Sequence, residues 1–151
     1  MFDIAFIPGE PPYVDEEGWT GLWGRTLLEE DFRERFVAPI GRWQRADYER
    51  QWIEGARRLL AGAGESAFSL ETGRLWWMAW REGEDVVLQQ RLLVDETVAR
   101  AWTAGPGEVP YELVGERRSR NEEGGAVSEW RVPLHDIQEF VERRASVYVP
   151  G

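Results

Sequence analysis

The stretch that decides the fold runs from Pro39 to Gln90 and reads PIGRWQRADYERQWIEGARRLLAGAGESAFSLETGRLWWMAWREGEDVVLQQ. Its pattern predicts one amphipathic helix followed by three short strands with tight turns between them. It holds five of the nine tryptophans: Trp43, Trp52, Trp76, Trp77 and Trp80. A segment this rich in patterned apolar residues predicts the core of a small α+β domain.

The predicted helix runs from about Gln44 to Ala61. Its apolar residues recur at helical spacing and form one stripe: Tyr48, Trp52, Ala56, Leu59 and Leu60. Acids lie in its first turns and arginines near its end, in the order that the helix dipole favours. Gly62 and Gly64 end it. Aromatic residues at this spacing are typical of a buried core.

The three strands that follow are predicted at Ser66–Glu71, Arg74–Arg81 and Asp85–Leu93. Both faces of the second are apolar, which favours a central strand covered on both sides. In the third, Val86, Leu88 and Leu92 are predicted to face inward and Gln89 and Arg91 outward. Because the connections are only a few residues long, we expect antiparallel pairing.

Outward from this stretch, weaker patterns complete the fold. Strands are predicted at 2–7, 22–29, 32–38, 113–120 and 126–132, with a hairpin turn at 121–125 and a final helix from about Pro133 to Arg144. The predicted fold class is α+β. We expect a single domain over 1–151 with a twisted antiparallel β-sheet of about five to seven strands, packed by the central amphipathic helix and the C-terminal helix.

Composition narrows the possible partners. The 151 residues include 28 acids and 18 bases, which give a net charge of −10 at pH 7. A chain this acidic is not expected to bind nucleic acid or an anionic membrane, but it could attract a basic protein. The N-terminal residues lack a basic, signal-like start, and no apolar run approaches the roughly 18 residues of a membrane span. We therefore expect a cytoplasmic protein.

Residues able to carry out chemistry are sparse. There is no cysteine, the only histidine is His135, and the acids are not at ligand spacing, so we expect no metal, cofactor or catalytic residue. No phosphate-binding glycine loop or serine elbow is present. Two alternatives to a protein-binding role stay open. The tryptophans could stack on sugars in a small carbohydrate- or ligand-binding domain, or a carboxyl in a cleft could serve an uncharacterised enzyme.

A family resemblance extends over nearly the whole chain. The residues that carry it are Trp43-x-x-x-Asp47-Tyr48-x-x-x-Trp52, Leu59/Leu60, Ser66-Ala67, the tryptophan-rich strand, Val87-x-x-Gln90, Arg117/Arg118, Asn121-Glu-Glu-Gly124, Ser128-Glu129-Trp130 and Asp136-Ile137-x-x-Phe140. In order and spacing they resemble the CdiI-type immunity proteins of bacterial contact-dependent growth inhibition systems.

This resemblance implies an α+β fold and a role in neutralising the C-terminal toxin domain delivered by a neighbouring cell. Toxins of these systems are often nucleases, whose active sites are electropositive because they hold phosphates. The default assembly would be one monomer per toxin domain. An orphan immunity protein, kept without its toxin, remains a further alternative within this class.

An acidic protein could occupy such a site through carboxylates on exposed turns. The turns predicted from the sequence supply the toxin-binding candidates: Glu29, Glu30, Asp31, Glu82, Glu84, Asp85, Glu122 and Glu123. For any one of them a plain solvated turn is the competing interpretation. Tight binding would also need a few desolvated anchors, usually aromatic residues or arginines.

Overall fold

The computed structural model describes residues 1–29, 32–71, 74–93, 95, 100, 102, 105, 107–118 and 128–150. In chain order its elements are β1 (Asp3–Phe6), β2 (Tyr13–Val14), β3 (Thr20–Leu27), β4 (Arg33–Ile40), α1 (Arg45–Leu60), β5 (Glu65–Glu71), β6 (Leu75–Glu82), β7 (Asp85–Leu92), a 3₁₀ turn (Tyr111–Leu113), β8 (Trp130–Pro133) and α2 (Leu134–Tyr148).

Within the described residues, the strands form two antiparallel sheets of four. In the first sheet β3 is central, with β4 on one side and β1 and β2 in succession along the other. The second sheet has the order β5-β6-β7-β8. The α+β class, the antiparallel pairing and both predicted helices are confirmed. The strands divide between two sheets because α1 separates β4 from β5 along the chain and packs against both sheets.

Helix α1 joins the two sheets through one hydrophobic core. Trp52 is fully buried, and its ring lies 5.1 Å from that of Phe6 and 6.1 Å from that of Phe36, both on the first sheet. Its indole Nε1 donates to the backbone oxygen of Ser69 in β5, at 2.6 Å. The stripe predicted on the helix therefore faces the core, as expected.

Strand β5 is an edge strand whose free backbone groups are covered by α1. The buried side chain of Gln51 donates through Nε2 to Ala67 O at 2.7 Å and accepts through Oε1 from Ser69 N at 2.8 Å. It thus pairs with the strand much as a neighbouring strand would. Gly55 permits this approach, since a Cβ there would lie 2.5 Å from Ala67 O.

The tryptophans of β6 lie on opposite faces of a central, buried strand. Trp76 packs edge-on against Trp43 and Trp102. Trp77 packs against Trp130, and its Nε1 donates to Thr26 Oγ1 at 3.3 Å. The prediction of a central strand covered on both sides is confirmed.

Some local predictions are wrong. Residues 113–118 hold the end of the 3₁₀ turn and no strand, because the segment lacks an alternating apolar face. Leu92 is exposed, whereas Gln89 is buried and donates to Arg118 O and Glu129 Oε1. The predicted turn at 121–125 lies outside the described residues.

The chain ends are tied together by α2, which continues past Arg144 to Tyr148. Asp3, buried in β1, accepts from Arg144 Nη2 at 2.8 Å and from Arg143 Nη2 at 3.2 Å. The hydroxyl of Tyr148 donates to Ile4 O at 2.9 Å. These contacts cover the outer edge of β1 with the C-terminal helix.

Candidate functional site

The turn between β6 and β7 holds three of the acidic residues predicted to bind a partner. Glu82 and Asp85 face each other across the hairpin. Gly83 occupies the left-handed region at φ 64°, which a tight turn of this kind requires. Glu84 is exposed at the tip and forms no ion pair with any described residue. The register therefore gathers these carboxylates at one end of the second sheet.

Two of these carboxylates are already paired with arginines of the same chain. Glu82 lies 2.9 Å from both Arg117 Nη1 and Arg131 Nη2. Asp85 lies 3.4 Å from Arg131 Nη1. Hydrogen bonds from Arg131 to Glu82 and Asp85 raise the pKa of its guanidinium. Only Glu84 thus presents an uncompensated charge at this turn.

The remaining candidates lie elsewhere or outside the described residues. Glu29 is exposed in the turn between β3 and β4, where its backbone oxygen accepts from Phe32 N at 3.3 Å. It belongs to the first sheet, so the structure does not place it in the β6–β7 turn. Glu30, Asp31, Glu122 and Glu123 fall outside the described residues. Which of the eight contact a partner stays a prediction.

A cavity of about 540 Å³ lies beside the polar face of α1. Its lining comes mainly from α1 and includes the charged side chains of Asp47, Arg50, Glu54 and Arg57. Among the described residues, burial raises the pKa of the Glu49 and Glu71 carboxyls, and neither lines this cavity, so neither is placed to act on a molecule bound there.

Within the described ranges, no group of three His, Asp or Glu residues is placed to hold a metal ion. His135 is exposed near the start of α2, with Nε2 2.7 Å from Glu139 Oε1 one turn later. No helix in the described part of the chain is both long and apolar enough to cross a membrane.

Comparison with known proteins identifies the family. The family model of the CdiI N-terminal domain matches residues 38–140, which include the stretch that decides the fold. The chain belongs to the CdiI family. These are the immunity proteins of contact-dependent growth inhibition systems, so the resemblance seen in the sequence is confirmed.

A solved structure extends the likeness of this CdiI family member to nearly its full length. A chain of the CdiA-CT/CdiI toxin and immunity complex from Enterobacter cloacae superposes with a TM-score of 0.79 at 20% identity, covering 97% of this chain and 100% of that one. At this identity the match supports the fold. No curated protein sequence matches the chain.

The sequence did not single out one exposed group of aromatic residues on this CdiI family member. The Tyr13 ring contacts the rings of both Trp19 and Trp23 on the outer face of the first sheet. The signal that could have found them is the acidic turn Asp15–Gly18, which directly precedes Trp19. The tryptophans of β6, by contrast, are buried and present no row of rings for stacking on a sugar.

Proposed function

We propose that this protein binds and neutralises the C-terminal toxin domain of a contact-dependent growth inhibition system. The observation that carries this proposal is the match of residues 38–140 to the CdiI N-terminal domain, in a chain that shares its fold with a component of a toxin and immunity complex. Neutralisation would occur in the bacterial cytoplasm, by stoichiometric binding of one monomer per toxin domain and without catalysis by this protein.

The proposed toxin is a nuclease with a basic surface. A net charge of −10 favours association with an electropositive active site, because complementary potentials speed encounter and disfavour wrong partners. Glu29 and Glu84 are the exposed candidates that form no ion pair with described residues, so they can offer their full charge to such a partner. Glu82 and Asp85 would first have to break their ion pairs with Arg117 and Arg131 before they could pair with cations of the partner.

Isothermal titration against the toxin domain encoded directly upstream tests the proposal. We expect a 1:1 stoichiometry, protection of cells that express that domain, and loss of its cleavage of RNA or DNA in proportion to the added protein. Absence of heat together with failure to protect would overturn the proposal. Binding and protection without any cleavage activity in the free toxin domain would overturn only the nuclease assignment.

Charge reversal tests the acidic candidates separately. Glu29→Lys and Glu84→Lys should each weaken binding by about tenfold, because a lysine would face a basic partner. Glu142→Lys changes the net charge equally but lies exposed on α2, and it serves as the matched control. Equal losses in all three variants would show that only the total charge matters and that these turns are not contacted.

A further inference from the structure

An exposed cluster of aromatic residues and an arginine, which we call the aromatic patch, lies on the first sheet: Tyr13, Trp19, Trp23 and Arg35. The Tyr13 ring lies 5.4 Å from that of Trp19 and 6.0 Å from that of Trp23. The Arg35 guanidinium stands 4.5 Å above the Trp23 ring. Tyr13 and Trp19 are 39% and 41% exposed.

Strand register explains why these side chains face away from the core. Tyr13 lies opposite Gly21, Trp23 opposite Val37, and Arg35 opposite Arg25. Directly paired residues share one face of a sheet. The neighbouring positions Gly24 and Phe36 lie on the other face, where Phe36 packs against Trp52 in the core. Tyr13, Trp23 and Arg35 thus lie on the outer face of the first sheet, and Trp19 joins them through its contact with Tyr13.

The chain holds Trp19 in place although its ring is only partly buried. The Asp15 carboxylate accepts from Glu17 N at 2.9 Å and from Trp19 N at 3.0 Å. Gly18 closes this turn with φ at 88°. A Cβ on Gly21 would lie 3.1 Å from the Trp19 ring and 2.4 Å from Val37 Cγ1, so the missing side chain leaves room for both. A ring ordered in advance loses little conformational freedom on binding.

We propose that the aromatic patch is the centre of the surface on which the toxin domain docks; this inference rests on the proposed function. Tryptophan, tyrosine and arginine are the residue types that dominate binding energy at protein interfaces. The patch holds all three types in one chain of contacts, from Trp19 through Tyr13 and Trp23 to Arg35, in a protein that otherwise buries most of its tryptophans.

The charges around the aromatic patch indicate a basic partner. Asp15, Glu16 and Glu17 precede Trp19, and Glu10 pairs with Arg35 at 3.0 Å, which neutralises the one cation of the patch. On the same face Arg25 lies directly opposite Arg35, and Arg33 follows at the end away from Trp19. An apolar centre with an acidic border at the Trp19 end matches a toxin surface that is basic around an apolar contact.

Titration of single variants with the toxin domain tests the inference. Trp19→Ala and Tyr13→Ala should raise the Kd by about 30-fold or more, the change typical of a central interface residue. Val147→Ala removes a side chain that is 66% exposed on α2, and should leave the Kd within about twofold. Thermal unfolding of each variant should match the wild type closely, since these rings contribute little to the core.

Substitution of Glu16, in the acidic border beside Trp19, tests the charge of the partner. Glu16 is exposed; Glu16→Gln removes its charge and Glu16→Lys reverses it, and the lysine opposes a basic toxin surface. We expect the glutamine variant to bind more weakly than the wild type, and the lysine variant to bind at least about tenfold more weakly than the wild type. Equal affinities, or the reverse order, would overturn the assignment of a basic partner to this surface.

Hydroxyl-radical footprinting gives a readout that does not depend on mutation. Oxidation of Tyr13 and Trp19 should fall severalfold in the complex. If the wild type binds toxin but these residues stay reactive and the alanine variants bind normally, the aromatic patch is not the docking site, while the proposed function stands. The same result accompanied by loss of self-association or of sugar binding in Trp19→Ala would assign the patch to a second copy or a carbohydrate instead. If the wild type binds no toxin domain, both proposals fail.

Discussion

At the scale of the residue, Gln51 is a polar side chain that is buried and hydrogen-bonds to the backbone of β5. It is 1% exposed on a helix that otherwise buries apolar side chains toward the core. Its amide bonds to Ala67 O, Ser69 N and the Tyr111 hydroxyl, the last at 3.2 Å. The Tyr111 hydroxyl is protonated at neutral pH, and burial raises its pKa further above the ordinary value of about 10.

We predict that Gln51→Ala lowers the free energy of unfolding by about 2–4 kcal/mol, because it leaves a buried donor and a buried acceptor of β5 without partners. Urea unfolding followed by circular dichroism measures the loss. Gln138→Ala is the control, because Gln138 is exposed on α2 and bonds only to Glu142 one turn away. It should change stability by less than about 0.5 kcal/mol. Equal effects would contradict the role given to Gln51.

Single residues also mark where prediction from sequence stops. Alternation predicted Gln89 outward and Leu92 inward, yet Gln89 is buried and Leu92 is exposed. Periodicity treats polarity as a sign of exposure, whereas a buried amide is tolerated once its hydrogen bonds are formed. The partners of Gln89 lie 29 and 40 residues away, so no local pattern contains them.

At the scale of the element, the approach of α1 to β5 depends on Gly55. A glycine inside a helix normally costs about 1 kcal/mol relative to alanine. Here a Cβ would lie 2.5 Å from Ala67 O and 3.2 Å from the Phe68 ring. The Ala67 oxygen belongs to the backbone and cannot rotate away as the end of a flexible side chain can. The whole helix would therefore have to move away from the strand.

Gly55→Ala should therefore destabilise the protein by about 1–3 kcal/mol despite the better helix propensity of alanine. Thermal and urea unfolding measure this change. Arg50→Ala, an exposed position on the same helix, should stay within about 0.5 kcal/mol of the wild type. A stabilised Gly55→Ala protein would show that propensity outweighs the contact and that the helix is free to shift.

The elements themselves were largely predictable, but their grouping was not. The apolar stripe around Trp52 predicted α1, and apolar residues on both faces predicted β6 as a central strand; both predictions are confirmed. Short connections predicted the β6–β7 hairpin. The division into two sheets depends on whether β4 and β5 pair across α1, and no turn or spacing in the sequence encodes that.

The candidate site shows the same limit. Acids on turns are visible in the sequence, but their partners are not: Arg117 and Arg131 reach Glu82 from segments more than thirty residues downstream in the printed sequence. Likewise, Tyr13 reaches Trp23 only when β2 pairs with β3. The acidity of these turns could be predicted from the sequence. Whether a given carboxylate is already paired with an arginine of the same chain could be seen only in the folded structure.

At the scale of the whole molecule, Asp3 links β1 to α2 through ion pairs with Arg143 and Arg144. Burial alone would raise its pKa, but hydrogen bonds and charges from Arg144 and Arg143 outweigh that effect and lower it. Arg25 also faces it, at 3.9 Å. A carboxyl with a lowered pKa stabilises the fold above its unfolded pKa of about 3.9, and this contribution is lost as the pH falls through the folded value.

We predict that Asp3→Asn is less stable than the wild type by about 3 kcal/mol at pH 7, and that the difference shrinks as the pH falls below about 4. The difference between the two proteins is the quantity to measure, because burial raises the pKa of Glu49 and makes that residue act in the opposite direction. Glu10→Gln removes an exposed pair with Arg35 and should cost less than about 1 kcal/mol. A difference that does not change with pH would contradict the role of the Asp3 charge.

The net charge of −10 bears on how fast a partner is found rather than on the fold. If the toxin domain is basic, its association rate constant should fall by about tenfold or more between roughly 50 mM and 500 mM salt, because ions screen the long-range attraction. Stopped-flow mixing measures this rate. Trp19→Ala should keep the same salt dependence while dissociating faster, because a central aromatic contact forms only after encounter. Glu29→Lys and Glu84→Lys should instead slow association and flatten its dependence on salt. An association rate that does not respond to salt would mean that the acidity of this chain does not guide it to its toxin.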